Sequence, residues 1–413
     1  MKPCSPPCRP AEHGRSDLCY RGVRMRRRHF LSLPLAGLPL AAASRRYRVA
    51  VIGHTGRGNY GHGIDTVWRA FENVELVAVA DADEAGRAAA ARRLGVTKTY
   101  ADYREMLHKE KPDIVGVAPR WMDQRVQMVT AAAEAGAHIY MEKPFALTLA
   151  DADRMVAAVQ RHKVKLQIAH QMRTSPYVIR AKAMIDAGEI GEIQEIRSRG
   201  KEDRRAGGED MMVLGSHLFD MQRYFLGNPL WVSAHVTVDG REVTASDVRQ
   251  PTEPIGPIAG TQISATFAYA NGVHGFFGSR AAGQTHPLRF STWIYGSKGV
   301  IALPNGIYPG GALYLLRAPG WLPTEELRME QVKVEPDLAA QGMTIRPGPE
   351  IANALMVADL VRAIEGGGKP CCNEEDGRWT IEMVHGVYAA QKTGNRVRLP
   401  LAQRTHPLES PPG

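Results

Sequence analysis

The sequence has few cysteines for its length and no long apolar run. Five cysteines in 413 residues are too few for a disulfide scaffold. No apolar run reaches the roughly 18 residues that a membrane-spanning helix needs, so we predict no membrane span. Hydrophobic residues make up 44% of the chain and charged residues 23%, which argues against a disordered or collagen-like protein. The length then predicts two globular domains, held together by neither metal nor disulfides.

Excess charge is also absent from most of the chain. The formal net charge is +9, but residues 1–43 carry eight basic and two acidic side chains and supply six of those charges. A chain that is basic throughout is typical of nucleic-acid-binding proteins. The rest of this chain has little positive excess and no nucleic-acid motif, so we predict no nucleic-acid partner.

The basic leader resembles a twin-arginine signal peptide. Arg27-Arg28-His29-Phe30-Leu31 is similar to the export motif, and a short apolar run follows and ends in three alanines at residues 41–43. We therefore predict export to the periplasm and a mature chain that begins near Ser44. Met25 is a natural start codon, and the alternative interpretation is a disordered basic leader. Beyond the leader only Cys371 and Cys372 remain, and we interpret both as free thiols.

The first half alternates apolar strands with helices. The sequence predicts strands over 48–52, 74–80, 113–118 and 138–141, and helices over 64–71, 84–94, 124–135 and 147–162. Continuous apolar strands between helices indicate an α/β fold with a doubly wound parallel sheet covered on both faces. Ligands of such sheets bind beyond the carboxyl ends of the strands.

The second half has a different pattern. Predicted strands cover 193–200, 231–238, 262–269, 273–280, 289–295 and 300–303, and predicted helices cover 351–364 and 378–392. Asn271-Gly272 is a strong hairpin signal. The stretch 304–349 is rich in proline and glycine and is predicted to be a long loop. We expect a leader (1–43), a nucleotide-binding domain (44–164), an α+β domain (165–401) and a tail (402–413).

A glycine-rich loop follows the first strand. Gly56–Gly61 forms a literal G-x-G-x-x-G, whereas Gly53-x-Thr55-x-x-Gly58 follows the strand more directly. Glycines let the backbone approach a pyrophosphate, and the next helix offers its positive N-terminus. Asp81 ends the second strand, where a carboxylate binds ribose hydroxyls and repels a 2′-phosphate. NAD is therefore favoured over NADP; the alternative is a tight turn with a helix-capping aspartate.

Two further motifs carry chemistry. Glu142-Lys143-Pro144 follows the end of a strand, where a lysine amine can hold a substrate hydroxyl and ease its deprotonation. His217 is a candidate general base because imidazole titrates near neutrality. Asp220 lies one helical turn from His217 and is a candidate to orient it. The plain alternatives are a surface lysine, a packed histidine and a surface acid.

The motifs together carry a family resemblance. In chain order they are the strand with its glycine loop, Asp81, Ala118-Pro119, Glu142-Lys143-Pro144, Gly188–Glu192, His217-x-x-Asp220, Asn271-Gly272, Gly296-x-x-Gly299 and Thr393–Val397. Over roughly residues 47–401 the chain resembles the Gfo/Idh/MocA oxidoreductases, the family of glucose-fructose oxidoreductase and inositol dehydrogenase.

The resemblance implies both fold and chemistry. It implies a Rossmann domain, then a C-terminal α+β domain with a large open, mostly antiparallel sheet that forms the interface of a homodimer or homotetramer. It implies hydride transfer between a sugar or polyol carbon and the nicotinamide. Lys143 and His217 match the family's catalytic lysine and histidine, and Pro119 and Glu142 match positions near the cofactor.

The chain departs from the family pattern in several places. Val213 stands where many relatives have an aspartate, Arg125 where a histidine is frequent, and Thr55 where a second glycine is common. Asp210 or Asp220 are candidates to replace the missing aspartate. Sugar-facing candidates, chosen by position alone, are Arg120, His170, Arg173 and Glu202.

Export constrains the proposed reaction, because free NAD is scarce outside the cytoplasm. An exported oxidoreductase of this kind should keep its cofactor bound and regenerate it in place. One cycle oxidises a sugar and then reduces a second carbonyl compound. Another cleaves a glycoside by oxidation, elimination, hydration and reduction. A third interpretation is a non-catalytic module that binds NAD or a sugar.

Overall fold

The computed structural model describes residues 45–281, 286–335 and 350–409. The predicted leader, with Met25, Ser44 and the cysteines at 4, 8 and 19, lies outside the described residues. Within the described ranges, none of the helices has the length and apolar character needed to cross a membrane.

The N-terminal part is built on a six-stranded parallel sheet. Its strands are β1 (Tyr47–Ile52), β2 (Val74–Ala80), β3 (Thr99–Tyr100), β4 (Ile114–Val117), β5 (His138–Met141) and β6 (Leu166–Ile168). Their order is β3-β2-β1-β4-β5-β6, which confirms the predicted doubly wound fold. β1 and β4 are almost fully buried, as their continuous apolar sequences require. The short β3 was not predicted, and β6 lies just beyond the predicted domain end at residue 164.

Four helices accompany this sheet, namely α1 (Glu84–Leu94), α2 (Tyr103–Glu110), α3 (Arg125–Glu134) and α4 (Leu149–His162). Local sequence sets the bounds of α1. Asp83 caps it by accepting from the Gly86 N–H at 2.6 Å, and Gly95 ends it in the left-handed conformation. α2 was not predicted from the sequence.

The C-terminal part holds a ten-stranded, mostly antiparallel sheet. Its strands are β7 (Ile193–Arg199), β8 (Trp231–Val238), β9 (Arg241–Glu242), β10 (Gln262–Ala268), β11 (His274–Arg280), β12 (Ser291–Gly296), β13 (Val300–Pro304), β14 (Tyr314–Leu316), β15 (Glu330–Gln331) and β16 (Val397–Arg398). β10 and β11 form the predicted hairpin around Asn271-Gly272. β14 and β15 lie in the predicted loop 304–349. These strands have only three and two residues, and the surrounding proline and glycine residues favoured a loop prediction.

Five helices complete this part, and they are α5 (Pro176–Asp186), α6 (Gly208–Val213), α7 (Gly215–Leu226), α8 (Ile351–Gly366) and α9 (Glu374–Thr393). α7 packs on β7, and α9 packs on β8. A wide, shallow cavity of about 840 Å³ lies over strands of the same sheet and is lined in part by Arg197, Phe276 and Trp293.

The predicted helix 64–71 is wrong. The structure has only a 3₁₀ turn, Val67–Ala70, after a long loop in which Gly61 and Gly63 take positive φ values of 66° and 83°. Those glycines keep the chain in a loop up to residue 63, and residues 64–66 form turns rather than helix. α8 packs against this turn, so a helix from the end of the chain covers part of the first sheet.

The C-terminal segments therefore return to the first sheet. Asn353 on α8 accepts from the Tyr140 hydroxyl at 2.7 Å and donates to the His62 carbonyl at 2.7 Å. In the predicted tail, Arg404 pairs with Asp153 at 2.8 Å and Glu382 at 2.9 Å. The predicted domain bounds at residues 164 and 401 stay a prediction, and segments beyond both of them contribute to the packing of the first sheet or its helices.

Candidate active site

The candidate site lies at the carboxyl edge of the parallel sheet. β5 and β6 are neighbours, and their last paired residues are Met141 and Ile168. Lys143 and His170 each stand two residues beyond that pair. Because adjacent strands lie only about 4.8 Å apart, the two residues leave the sheet side by side.

Asp81 ties the glycine loop to the end of β2. Its carboxylate accepts from the Thr55 N–H and hydroxyl, from the Tyr60 hydroxyl at 2.8 Å and from the Asp83 N–H at 3.0 Å. Asp81 is only 1% exposed. Since a carboxylate has about four lone-pair sites, these four donors occupy all of its hydrogen-bond acceptor positions. The predicted contact of Asp81 with a ribose stays a prediction and requires one of these bonds to be exchanged.

The glycines have separate structural reasons. A Cβ on Gly53 would meet the Tyr60 ring at 2.1 Å, and one on Gly58 would meet the backbone nitrogens of Trp121 and Arg120. Gly56, at the tip, has φ +78° and no atom within 4 Å of the position a Cβ would take. Gly53 and Gly58 therefore allow close packing within the protein, whereas the space beside Gly56 is open to a ligand.

The space beyond these strand ends fits part of a dinucleotide. A cavity of about 290 Å³ is lined by Gly53, Asp81 and Gln124, among others, at the ends of β1 and β2 and the start of α3. This volume is near the lower end of the range for ligand pockets, about 300–1,000 Å³. The expected helix N-terminus is missing, because only the short 3₁₀ turn follows the loop. Near Gly56 there is open space for a pyrophosphate, although the Gly56 N–H already donates to the Asn59 side chain at 3.0 Å.

Glu142 also holds the loop. Its buried carboxylate accepts from the His62 N–H at 2.8 Å, and His62 Nδ1 lies 3.1 Å away. Burial raises the pKa of Glu142, but the His62 bonds and the Lys143 charge outweigh it and bring that pKa to about 2. Glu142 is therefore ionised and joins the glycine loop to the candidate lysine.

Lys143 reaches α6 rather than a carboxylate. Its Nζ donates to the Val213 carbonyl at 3.2 Å, and the side chain is buried. Neither candidate replacement for the missing aspartate takes this place. Asp210 accepts from Ser279 at 2.6 Å and from the Glu202 N–H. The main-chain oxygen of Val213 itself holds the amine.

This arrangement lowers the pKa of the amine and so shifts it toward its neutral form. Burial lowers the pKa of Lys143 most, while Glu142 and Glu253 act in the opposite direction. The cations of Arg205 and Arg120 lower it further. An amine with a lowered pKa can accept a proton from a substrate hydroxyl.

His217 lies in the first turn of α7 beside a second histidine. The rings of His170 and His217 are edge to face, with centroids 4.9 Å apart and planes at 79°. Burial lowers the pKa of His217 well below its usual value, and His170, Lys143 and His62 lower it further when they are protonated. Both ring nitrogens of His170 and Nδ1 of His217 are buried without a hydrogen-bond partner in the described structure.

Asp220 does not orient His217 by a hydrogen bond, contrary to the prediction. Its carboxylate binds Arg173 through two bonds of 2.7 and 2.6 Å, and both residues are buried. Burial raises the pKa of Asp220, but the Arg173 charge and hydrogen bonds lower it overall. Asp220 therefore joins α7 to the turn that follows β6.

Arg125 takes a structural place where a relative often has histidine. It is fully buried and donates to the carbonyls of Pro119 and Pro144. Burial lowers its pKa to about 10, with Glu142 acting in the opposite direction. Arg125 thus joins the segments after β4 and β5, which positions Pro119 and Lys143 relative to each other.

Of the sugar-facing candidates, Arg173 and Glu202 are engaged within the protein. Glu202 pairs with Arg199 and Arg289, each at 2.6 Å. Arg120 lies in the segment after β4 and acts electrostatically on Lys143. The contacts of Tyr60 and His62 were missed from the sequence, although their positions inside the glycine loop were the available signal.

Both parts of the chain match a known protein family. Residues 47–170 match the oxidoreductase family with an NAD-binding Rossmann fold, and residues 178–302 match the GFO/IDH/MocA C-terminal domain. The chain belongs to the Gfo/Idh/MocA family. Both halves of the architecture, the NAD-binding parallel sheet and the larger mixed sheet, are accounted for by this membership.

Relatives in the Gfo/Idh/MocA family include named sugar dehydrogenases. The chain is 31% identical to D-apiose dehydrogenase of Paraburkholderia graminis over 49% of this chain and 56% of that protein. It is 27% identical to levoglucosan dehydrogenase of Pseudarthrobacter phenanthrenivorans over 54% of this chain and 63% of that protein. The chain thus spans between 56% and 63% of the first curated relatives it matches.

A solved structure gives the same fold. Levoglucosan dehydrogenase in complex with NADH and L-sorbose superposes with a TM-score of 0.70 at 22% identity. The match covers 86% of this chain and 99% of that one. The likeness extends over both sheets described above.

Proposed function

We propose that this protein is an NAD-dependent dehydrogenase that oxidises a secondary hydroxyl of a sugar or polyol. The observation that carries the proposal is the buried amine of Lys143, held by the Val213 carbonyl next to His217 at the carboxyl edge of an NAD-binding sheet. The sugar dehydrogenases among the relatives support this substrate class.

Each residue has a proposed task. Lys143 accepts the hydroxyl proton, because burial favours its neutral form. His217 accepts a hydrogen bond from a neighbouring substrate hydroxyl and so orients the sugar or polyol. NAD, when bound, accepts the hydride from the carbon. Gly53, Thr55, Gly56 and Gly58 shape the loop that faces its phosphates, and Asp81 and Glu142 hold that loop in place.

A closed cycle on a tightly bound cofactor is the finer proposal. It joins the NAD fold to the proposed export, since a periplasmic enzyme cannot draw on a free NAD pool. The test is to purify the protein without added cofactor and to record the reduced-nicotinamide absorbance. A panel of polyols, free sugars and aryl glycosides is then added.

The outcomes of this test separate the proposed reactions. A band that appears with a polyol and disappears with a second carbonyl compound supports the dehydrogenase cycle. Release of the aryl group without net change in the band favours glycoside cleavage. No bound cofactor, and no response to added NAD, would leave a non-catalytic binding module and overturn the proposal.

We further propose that the protein is a homodimer or homotetramer that assembles through the second sheet. Trp293 is 36% exposed there and stacks on Tyr295, and Arg197 lies 5.1 Å from the Tyr295 ring centroid. Exposed aromatic groups of this kind are typical of interfaces. Light scattering should give a multiple of the chain mass, and Trp293→Asp should lower it; a monomeric wild type would contradict the assembly.

Export through the twin-arginine leader is also proposed. The support is the sequence Arg27-Arg28-His29-Phe30-Leu31 before a short apolar run. Cell fractionation should place the full-length protein in the periplasm, and replacement of Arg27 and Arg28 by lysine should keep it in the cytoplasm. Equal distribution of both forms would contradict export.

A further inference from the structure

His170 is a buried histidine to which the proposed reaction assigns no role. It is 0% exposed, and neither ring nitrogen has a hydrogen-bond partner in the described structure. An unsatisfied buried polar atom costs about 1–3 kcal/mol. His170 has two such atoms on one ring, beside the candidate lysine and histidine. This indicates that its nitrogens form hydrogen bonds in the reacting complex.

His170 contacts His217 because each histidine lies the same number of residues before a member of one buried ion pair. His170 lies three residues before Arg173, and His217 lies three residues before Asp220. Arg173 and Asp220 form the buried double hydrogen bond, so one turn of each segment is clamped against the other. The same clamp brings the two imidazoles to a centroid separation of 4.9 Å. At this separation a hydrogen bond can join the two imidazoles once a ring rotation turns an edge of each toward the other.

His217 lacks the orienting group that a catalytic histidine needs. Which ring nitrogen carries the proton is set by the hydrogen bond of the other nitrogen. Nδ1 of His217 is buried without a partner, and Asp220 is engaged by Arg173. His170 is the polar ring in contact with His217, and catalytic hydrogen bonds are often loose in unliganded enzymes and tighten in the reacting complex.

The protonation of His170 suits this task. Burial lowers its pKa to about 4, with Asp220 acting in the opposite direction and Lys143 and Arg173 lowering it. The ring is thus neutral near pH 7, with one donor and one acceptor nitrogen. A neutral imidazole can accept a hydrogen bond from the Nδ1–H of His217 without adding a charge to the buried site.

We propose that His170 is the positioning residue of His217: it accepts a hydrogen bond from Nδ1 of His217 and so presents the unprotonated Nε2 to the substrate. This inference rests on the proposed dehydrogenase function for its kinetic consequence. The tautomer of His217 can be measured independently of that function.

The test compares three variants with the wild type. His170→Phe keeps an edge-to-face ring but removes both nitrogens, and His170→Asn restores a hydrogen-bond acceptor. His385→Phe is the matched control, because His385 is also fully buried in an edge-to-face pair, with His406 at 4.4 Å. The full-length protein is loaded with NAD and labelled with ¹⁵N-histidine. His217 is assigned by its loss in His217→Gln.

The expected spectroscopic result is one tautomer. In the wild type and in His170→Asn, the His217 signals should report protonated Nδ1 and unprotonated Nε2. In His170→Phe they should report a mixture, and in His385→Phe the wild-type state. A tautomer mixture in the wild type itself would overturn the inference, even if His170→Phe did not fold.

The kinetic result separates the inference from the proposed function. On a polyol that the wild type oxidises, His170→Phe should lower kcat by about ten- to a hundredfold, as expected for one lost hydrogen bond at 1–3 kcal/mol. KM should change less than kcat, and His170→Asn should recover most of the loss. Unchanged kcat and tautomer in His170→Phe would overturn the role of His170 and leave the dehydrogenase intact. A wild type that oxidises no polyol but shows the predicted tautomer change would overturn only the proposed function.

Discussion

The glycine loop and the Lys143–His217 cluster lie at the same sheet edge but differ in how their polar groups are satisfied. In the loop, Asp81 and Glu142 are buried and accept hydrogen bonds from Thr55, Tyr60 and His62. In the cluster, buried nitrogens of His170 and His217 have no partner in the described structure.

This difference separates two ways of preparing a site. A paired loop holds its shape before any ligand arrives, so its residues act mainly on one another. An unpaired cluster carries a desolvation cost that a ligand or a small rearrangement can remove. Changes in the cluster should therefore act on catalysis, and changes in the loop should act on its shape and, through it, on cofactor affinity.

The largest expected effect is at the lysine. Lys143→Met should lower kcat by about 10²–10⁴-fold, because it removes the group that accepts the hydroxyl proton. NAD affinity, measured by fluorescence titration, should stay within about threefold of wild type, equivalent to less than 1 kcal/mol. Lys182→Met, at a partly exposed lysine on α5, is the control. Wild-type turnover in Lys143→Met would contradict the proposal that Lys143 accepts the hydroxyl proton.

The clamp between Arg173 and Asp220 should dominate stability. Asp220→Ala leaves a buried guanidinium with only the longer contact to Asp376, at 3.3 Å, and should cost roughly 3–5 kcal/mol of unfolding free energy. The control is Asp186→Ala, which breaks an exposed pair with Lys182 one turn away and should cost about 0.5 kcal/mol or less. Denaturant unfolding measures both. Equal losses of unfolding free energy in the two variants would show that the buried pair contributes no more to stability than the exposed pair.

The Val213 carbonyl gives a prediction on pH dependence. Activity that requires neutral Lys143 should rise as pH increases through the pKa of that amine, which burial places below its ordinary value. Val213→Asp puts a carboxylate next to the amine, which favours the charged form and raises this pKa. The rise in kcat should therefore move to higher pH in Val213→Asp and not in the neutral variant Val213→Asn. A shift to lower pH would contradict the assignment.

The smallest effect is expected in the glycine loop. Tyr60→Phe removes one of the hydrogen bonds to Asp81, which is worth about 0.5–1.5 kcal/mol. Because the glycine loop is then held less firmly to β2, NAD binding should weaken by up to about tenfold. Tyr47→Phe is the control, since Tyr47 binds Glu365 at the start of β1. Tighter NAD binding in Tyr60→Phe would mean that Tyr60 holds Asp81 away from the ribose.

The sequence predicted most of the fold, and its failures have physical causes. Apolar strands such as Val74–Ala80 and the Asn271-Gly272 hairpin are local patterns, and the structure confirms them. The helix over 64–71 failed because the loop with its positive-φ glycines extends to residue 63 and turns continue over 64–66, and because α8, from the far end of the chain, packs there. No local pattern carries that long-range contact.

The site shows the same division. Glu142-Lys143-Pro144 and His217 were found because their sequence context is distinctive. The partner of Lys143 was missed because it is a main-chain carbonyl, which any residue at position 213 would offer. The prediction that Asp220 orients His217 was wrong, because the hydrogen-bond partner of Asp220 is Arg173, which lies 47 residues away in the chain.

The Lys143–His217 cluster is proposed to promote polyol oxidation: Lys143 takes the hydroxyl proton while the hydride would pass from the carbon to NAD. The most direct measurement is a single turnover of the NAD-loaded, full-length protein, mixed rapidly with a polyol and followed by reduced-nicotinamide absorbance. Deuterium at the oxidised carbon should slow the appearance of the band in the wild type, and Lys143→Met should slow it by about 10²–10⁴-fold. A wild type that gives no band with any polyol, or a band unaffected by both deuterium and Lys143→Met, would contradict the account.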